Sequence, residues 1–307
     1  MEITFLGTGA GTPSKERNVS ALALTLLQEI NSIWLFDCGE ATQHQLLYTN
    51  IKPRKITKIF ITHMHGDHIF GLPGFLSSRS FLGGTETLTI YGPPGIEDYV
   101  NSSLISSQTH LTYPLVIKEV ETGRLIDDEQ FIVDCYRLEH GVPSFGYRIT
   151  EKDRLGELIV EKLRERGIKP GPIYQQIKEN PTVVTPDGET LHREHFLGPN
   201  KKGRVISVLG DTRYKQEHIA FVKDSDVLVH EATFNDQSAK RAREYFHSTT
   251  GQAATIAKEA NVGTLLLTHI SSRYREEDYP GLLKEARRVF PNTELAHDLF
   301  KWTIPHQ

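Results

Sequence analysis

Thr62-His63-Met64-His65-Gly66-Asp67-His68 places four groups able to ligate a metal within six positions. The cluster follows directly on Lys58–Ile61, an apolar β-branched run that reads as a buried strand. Unpartnered polar groups buried there would cost about 1–3 kcal/mol each, so packing does not account for the pattern. Imidazoles and a carboxylate at this spacing suit a transition metal. The chain carries 14 histidines, and histidine is the commonest metal-ligating side chain.

Further ligands are expected at the ends of other strands, because a buried sheet holds its loops rigidly. His140 follows the run Phe131–Leu138, Asp211 closes Val205–Leu209 in Leu-Gly-Asp-Thr, and His269 follows Leu265–Thr268. With His63, His65, Asp67 and His68 they make seven ligands, too many for one four-coordinate ion. Two ions use them well. His63, His65 and His140 serve one, Asp67, His68 and His269 the other, and Asp211 bridges. Five imidazoles and two carboxylates suit two zinc ions best, with manganese or iron replacing them under metal competition. Each ion keeps an open position, as catalytic sites do.

The elements that must position these residues alternate along the chain. Strands are expected at Ile3–Leu6, Ala21–Leu27, Ile33–Phe36, Lys58–Thr62, Leu88–Tyr91, Phe131–Leu138, Val205–Leu209, Val227–Val229 and Thr264–Thr268. Helices are expected at Ala41–Tyr48, Gly95–Ile105, Gln216–Val222, Gly251–Ala260 and Pro280–Phe290. The interleaving predicts an α/β protein whose helices cover mostly buried sheets. Ile59-Phe60-Ile61-Thr62-His63 and Leu265-Leu266-Leu267-Thr268-His269 echo one another, which permits two similar halves packed face to face.

The chain has 307 residues, enough for about two domains or one large one. Residues 1–307 are read as a single catalytic domain carrying an insertion at 151–204. From Glu151 to Arg204, 11 Lys/Arg stand against 9 Asp/Glu, or +2, leaving −6 of the net −4 to the rest. Arg154–Arg166 reads as a charged helix, and Lys169-Pro170-Gly171-Pro172 breaks the chain after it. The stretch looks too thin in apolar residues for a core of its own. It reads either as a solvated surface insertion or as a binding arm. No run of 18 apolar residues occurs, so no membrane span is expected. Met1–Gly7 reads as a strand rather than a signal peptide, and two cysteines exclude a disulfide scaffold; a cytoplasmic protein is expected. The acidic balance argues against binding nucleic acid through overall charge.

The metal motif with His140, Asp211 and His269 resembles the metallo-β-lactamase fold, an αβ/βα sandwich of two halves. The resemblance narrows further. Phe36-Asp37-Cys38-Gly39-Glu40-Ala41-Thr42-Gln43 and Pro13-Ser14-Lys15-Glu16-Arg17-Asn18 are similar to the ribonuclease Z family, as are His230-Glu231-Ala232-Thr233 and His247-Ser248-Thr249. Ala41 departs from the family's usual glycine and touches no proposed ligand. The match runs from the first strand to His269-Ile270-Ser271-Ser272-Arg273-Tyr274, with 151–204 where the family carries its flexible arm.

The resemblance implies a short-form tRNA 3′-processing endoribonuclease, a homodimer acting on precursor tRNA and leaving a tRNA 3′-OH and a trailer 5′-phosphate. Asp67 is then the natural proton acceptor. His247 would protonate the leaving oxygen, with Glu231 orienting it. From local signals alone His247 reads instead as a residue ahead of a Ser248-Thr249 helix cap. Lys15, Arg17 and Arg273 are candidates for phosphate contacts, with Gly171 and Pro172 for the arm's grip on RNA; a plain surface role competes. Rival readings are a glyoxalase II-type thioesterase or an arylsulfatase on the same fold, or a non-catalytic RNA-binding subunit.

Overall fold

Strands in the first half of the chain alternate two sets of apolar side chains, and the sets enter different cores. In the computed structural model, which describes residues 1–306, Leu22, Leu24, Trp34, Phe36 and Phe60 face one core. Ala21, Ala23, Ile33, Leu35, Ile59 and Ile61 face another. A period of two with both faces apolar produces a sheet buried on both sides. Its seven strands lie in the order Lys301–Thr303, Glu2–Gly7, Ala21–Leu26, Ser32–Phe36, Ile56–Phe60, Leu88–Gly92 and Leu115–Glu119. A second seven-stranded sheet orders Thr293–Leu295, Thr264–Thr268, Val227–Glu231, Val205–Leu209, Ser144–Glu151, Phe131–Leu138 and Gly123–Asp127.

Phe131, Val133, Val227, Val229 and Leu266 of the second sheet share the central core with the first. Leu228, Leu265 and Leu267 turn outward to the helices Thr250–Glu259 and Tyr279–Val289. Helices Leu72–Phe81 and Ile96–Ser106 cover the first sheet in the same way. The four layers are an αβ/βα sandwich. Both sheets hold parallel runs: Ser32–Phe36, Ile56–Phe60 and Leu88–Gly92 in one, Val205–Leu209, Val227–Glu231 and Thr264–Thr268 in the other. Loops leaving the carboxyl ends of parallel strands are where an open α/β sheet places its ligands. Asp37, His63, Asp211 and His269 all stand there.

Several boundaries shift from expectation. The expected helix Ala41–Tyr48 divides into an α-turn, Thr42–Gln45, and a 3-10 turn, Leu46–Tyr48. Arg154–Arg166 is helical only over Val160–Glu165, because Arg154 bridges instead to Lys201. Helix Leu72–Phe81 and strands Leu115–Glu119, Gly123–Asp127 and Ser144–Glu151 were not anticipated.

By its contacts the chain divides into Met1–Thr150 with Val205–Pro305, and Glu151–Arg204 with His306. The second unit holds helices Val160–Glu165 and Pro172–Glu179 and a hairpin, Thr182–Val184 with Thr190–His192. Leu163, Ile177, Val183, Leu191 and Phe196 are buried together within it. The expectation that this stretch lacks a core of its own is therefore corrected. Its apolar residues come from separate short elements, and no single run or period betrays them. At its base, buried Arg204 donates from Nε to Glu151 Oε2 at 2.8 Å.

Candidate metal centre

Each candidate ligand leaves an element that cannot easily move. His63 and His65 follow the strand Ile56–Phe60, which pairs with a neighbour on each side, and Asp67 and His68 ride the single turn Gly66–Ile69. His140, Asp211 and His269 follow strands Phe131–Leu138, Val205–Leu209 and Thr264–Thr268. His269 adopts φ +58, a left-handed turn that aims the imidazole back over the strand end. His63, His68, Asp211 and His269 are buried, Asp67 and His140 partly so, and His65 is exposed.

The structure brings all seven together. His63 Nε2 lies 3.1 Å from His65 Nδ1, which lies 3.2 Å from His140 Nε2. His269 Nε2 lies 3.3 Å from both His68 Nε2 and Asp67 Oδ2. Asp211 Oδ2 reaches both groups, 3.6 Å from His63 Nε2, 3.6 Å from His68 Nε2 and 3.2 Å from His269 Nε2.

Whether these residues fit a metal can be read from where their protons are committed. His68 Nδ1 donates to Asp37 Oδ2 at 2.7 Å. His269 Nδ1 donates to Thr233 Oγ1 at 2.8 Å, whose own hydroxyl is given to Glu231 Oε2. His140 Nδ1 donates to the Phe246 carbonyl at 2.9 Å, and His63 Nδ1 to Thr62 Oγ1 at 3.1 Å. With these four Nδ1 atoms so bonded, the four Nε2 atoms converge with His65 Nδ1 on one another and on carboxylates. Such a set is satisfied by cations. Electrostatics agrees. Burial disfavours charge on His68, yet Asp211 and Asp37 outweigh it and lift its pKa well above the ordinary value. Burial, then His68, hold His63 well below it, leaving a neutral ligand. Burial would raise Asp211, but His269, His68 and His63 keep it ionised.

Three orienting groups escaped the sequence reading. Asp37 accepts from Thr62 N at 2.7 Å and Thr62 Oγ1 at 2.9 Å besides His68. Its signal was available: like Asp211, it closes an apolar strand. Gly11 N donates to Asp67 Oδ2 at 2.7 Å, and the Phe246 carbonyl fixes His140; backbone groups leave no mark in side-chain spacing.

Beside the ligands, His247 Nδ1 lies 2.9 Å from Glu231 Oε1. Glu231 is held by Thr212 N, Ser248 N and Thr233 N at 3.0–3.1 Å. Burial opposes charge on His247, but the Glu231 carboxylate raises its pKa to about 9. Nε2 is left for a substrate.

The tentative RNA contacts separate. Lys15 is exposed. Arg17 is buried, giving Nη1 to Thr8 Oγ1 and Ala296 O and Nε to Tyr279 Oη, so it braces its loop instead of facing solvent. Arg273 lies exposed across the Phe234 ring at 4.8 Å. Gly171 and Pro172 are exposed in the second unit, where Pro172 opens a helix.

A family model described as anti-Pycsar protein Apyc1 matches residues 1–123. The ribonuclease Z of Oceanobacillus iheyensis is 60% identical, over 99% of this chain and 100% of that protein. Human tRNase Z, short form, superposes with a TM-score of 0.72 at 32% identity, covering 99% of this chain and 100% of that one. The metallo-β-lactamase fold protein YhfI from Bacillus subtilis gives 0.68 at 22% identity, with 98% of each chain covered, and speaks to the fold alone.

Proposed function

Because this chain belongs to the ribonuclease Z family, we propose that it releases the 3′ trailer from precursor tRNA by metal-assisted hydrolysis, leaving a tRNA 3′-OH and a trailer 5′-phosphate. It is a tRNA 3′-processing endoribonuclease of the metallo-β-lactamase fold. The thioesterase, arylsulfatase and non-catalytic readings fall to the full-length identity.

The observation that carries the mechanism is the convergence of imidazole nitrogens and carboxylates beside the His247–Glu231 pair. His63, His65 and His140 would hold one ion, Asp67, His68 and His269 a second, and Asp211 both, with zinc favoured by the donor set. When bound, two such ions supply an activated water and neutralise charge on the phosphodiester. Asp67, oriented by Gly11 N, takes the proton released by the attacking water. His247 gives a proton from Nε2 to the departing 3′ oxygen, while Glu231 fixes the ring through Nδ1. Since water attacks phosphorus, the RNA 2′-OH is not the nucleophile.

Cleavage of a 3′-extended precursor with and without chelator, with the cut and its end groups mapped, tests this reading. Loss of cleavage on chelation and 3′-OH/5′-phosphate ends are expected. A 2′,3′-cyclic phosphate would overturn it.

The homodimer is supported by large apolar side chains left exposed: Leu47 and Tyr48 on one turn, Phe70, and Phe81 at the end of helix Leu72–Phe81. Phe81→Glu should shift sedimentation to a monomer if that face pairs two copies. Among the described residues no helix is long and apolar enough to cross a membrane, and a cytoplasmic place is proposed with the substrate.

A further inference from the structure

Next to the ligands the first unit opens a cavity of about 310 Å³, within the usual size of small-ligand clefts. His65, Asp67, His247 and His269 form part of its lining. Arg241 and Tyr245 form another part, and nothing above has used them. They stand four residues apart where the helix Ala239–Glu244 ends, with Tyr245 N bonded to Arg241 O at 3.0 Å. That spacing stacks their side chains on one helix face. Ala242 anchors the helix by its burial, so the face bearing Arg241 and Tyr245 is free to serve the cavity.

Neither side chain is spent on the protein. Tyr245 is 63% exposed, and among the described residues its hydroxyl and the Arg241 guanidinium have no hydrogen-bond or ion-pair partner. Arg273 differs: its guanidinium is pinned over Phe234 and bonded to Ser271 Oγ at 3.1 Å. An open aromatic face and an open cation, two residues and six residues before His247, are the two parts of a single-stranded nucleotide subsite: stacking and phosphate charge.

Direction follows from His247. The oxygen it protonates belongs to the nucleotide on the 5′ side of the cut, so that nucleotide lies nearest the segment leading into His247. We propose that Tyr245 stacks on the base of the nucleotide 5′ to the scissile phosphate, the last of the mature tRNA, and that Arg241 holds the phosphate preceding it. The inference rests on the tRNA-processing reading. A stacking face accepts any base, which suits a substrate set whose terminal bases differ.

The test uses steady-state cleavage by the full chain of two precursors, one intact and one abasic at the nucleotide 5′ to the cut. Tyr245→Ala should raise KM for the intact precursor roughly ten-fold, in line with the loss of one stacked base, with metal content unchanged. Tyr245→Phe, which keeps the ring, should restore wild-type KM within about two-fold. The abasic precursor should cost the wild type a similar factor and cost Tyr245→Ala nothing more, because both changes remove the same contact. Arg241→Ala should lower the salt slope of precursor binding by about one. Multiplying rather than overlapping losses, or a Tyr245→Phe as impaired as Tyr245→Ala, would overturn the platform while leaving the nuclease reading intact. A wild-type protein that fails to cut the intact precursor would sink both.

Discussion

Asp211 lies within 3.6 Å of imidazoles of both ligand groups through one oxygen, whereas His247 Nδ1 is closest to Glu231 Oε1 at 2.9 Å and stands 3.9 Å from Asp211. The two should therefore separate on substitution. If Asp211 bridges two ions as proposed, Asp211→Ala should lose nearly all bound metal by elemental analysis. His247→Ala should keep them and lose about 10²–10⁴-fold in the chemical step, the worth of a positioned acid. An emptied site in His247→Ala would remove the proton-donor role. Away from the site, buried His218 presents a Nδ1 without a partner. Burial, then neighbouring His230 and Lys215, lower its pKa from 6.5 to about 4. The unfolded chain thus binds a proton the folded chain refuses between those values, so stability falls as pH drops through this window and levels below it. The loss reaches about 3 kcal/mol in all by linkage. Denaturant titrations at pH 7 and pH 5 should show the decline, and His218→Leu should flatten it.

At the scale of elements, the helix Thr250–Glu259 shows two readings of one stretch holding together. Thr249 caps it: Oγ1 accepts from Gln252 N at 3.2 Å, and Gln252 Oε1 accepts from Thr249 N at 3.0 Å. The local signal for a cap was sound, and it places His247 two residues upstream, where Glu231 waits. Thr249→Ala should cost about 1 kcal/mol of stability, the usual worth of such a cap. It should also lower kcat with unchanged metal content, as measured by single turnover, since the cap fixes the backbone leading from His247. The buried strands were legible because both faces are apolar at period two, as in Ile33–Phe36. Leu115–Glu119 and Gly123–Asp127 were not, being edge-lying, half-exposed strands with little pattern to show. Leu72–Phe81 carries Pro73 and Gly74 in its first turn, residues of poor helix propensity, although proline suits that position. The ligands were legible by type and place, while Gly11 N and the Phe246 carbonyl were not, because main-chain groups carry no residue identity.

For the whole molecule, the candidate ligands and the insertion fall on different stretches of chain. All seven candidate ligands, Glu231 and His247 lie in Met1–Thr150 and Val205–Pro305. Replacing Pro170–Pro181 by a short Gly-Ser linker removes Ile177 from the insertion's own core, so the insertion should lose its order while metal content matches the wild type. If it grips the tRNA body, uniform binding is lost and KM for precursor tRNA should rise with little change in kcat. Hydrolysis of a small phosphodiester should be nearly unchanged. Equal losses on both substrates would show that the segment supports the site instead.

Thr150 and Val205 are paired directly across two antiparallel strands. The insertion therefore occupies the place of a hairpin turn, and its length is invisible to the register of the sheet. Lengthening, shortening or exchanging it shifts no strand by a residue, and each doubling of such a loop adds only about 0.6 kcal/mol of closure entropy. Descent can thus revise this stretch by insertion and deletion, a coarse and rapid mode of change. The candidate ligand loops, fixed at strand ends, have no such freedom, because any change of length there would displace a ligand.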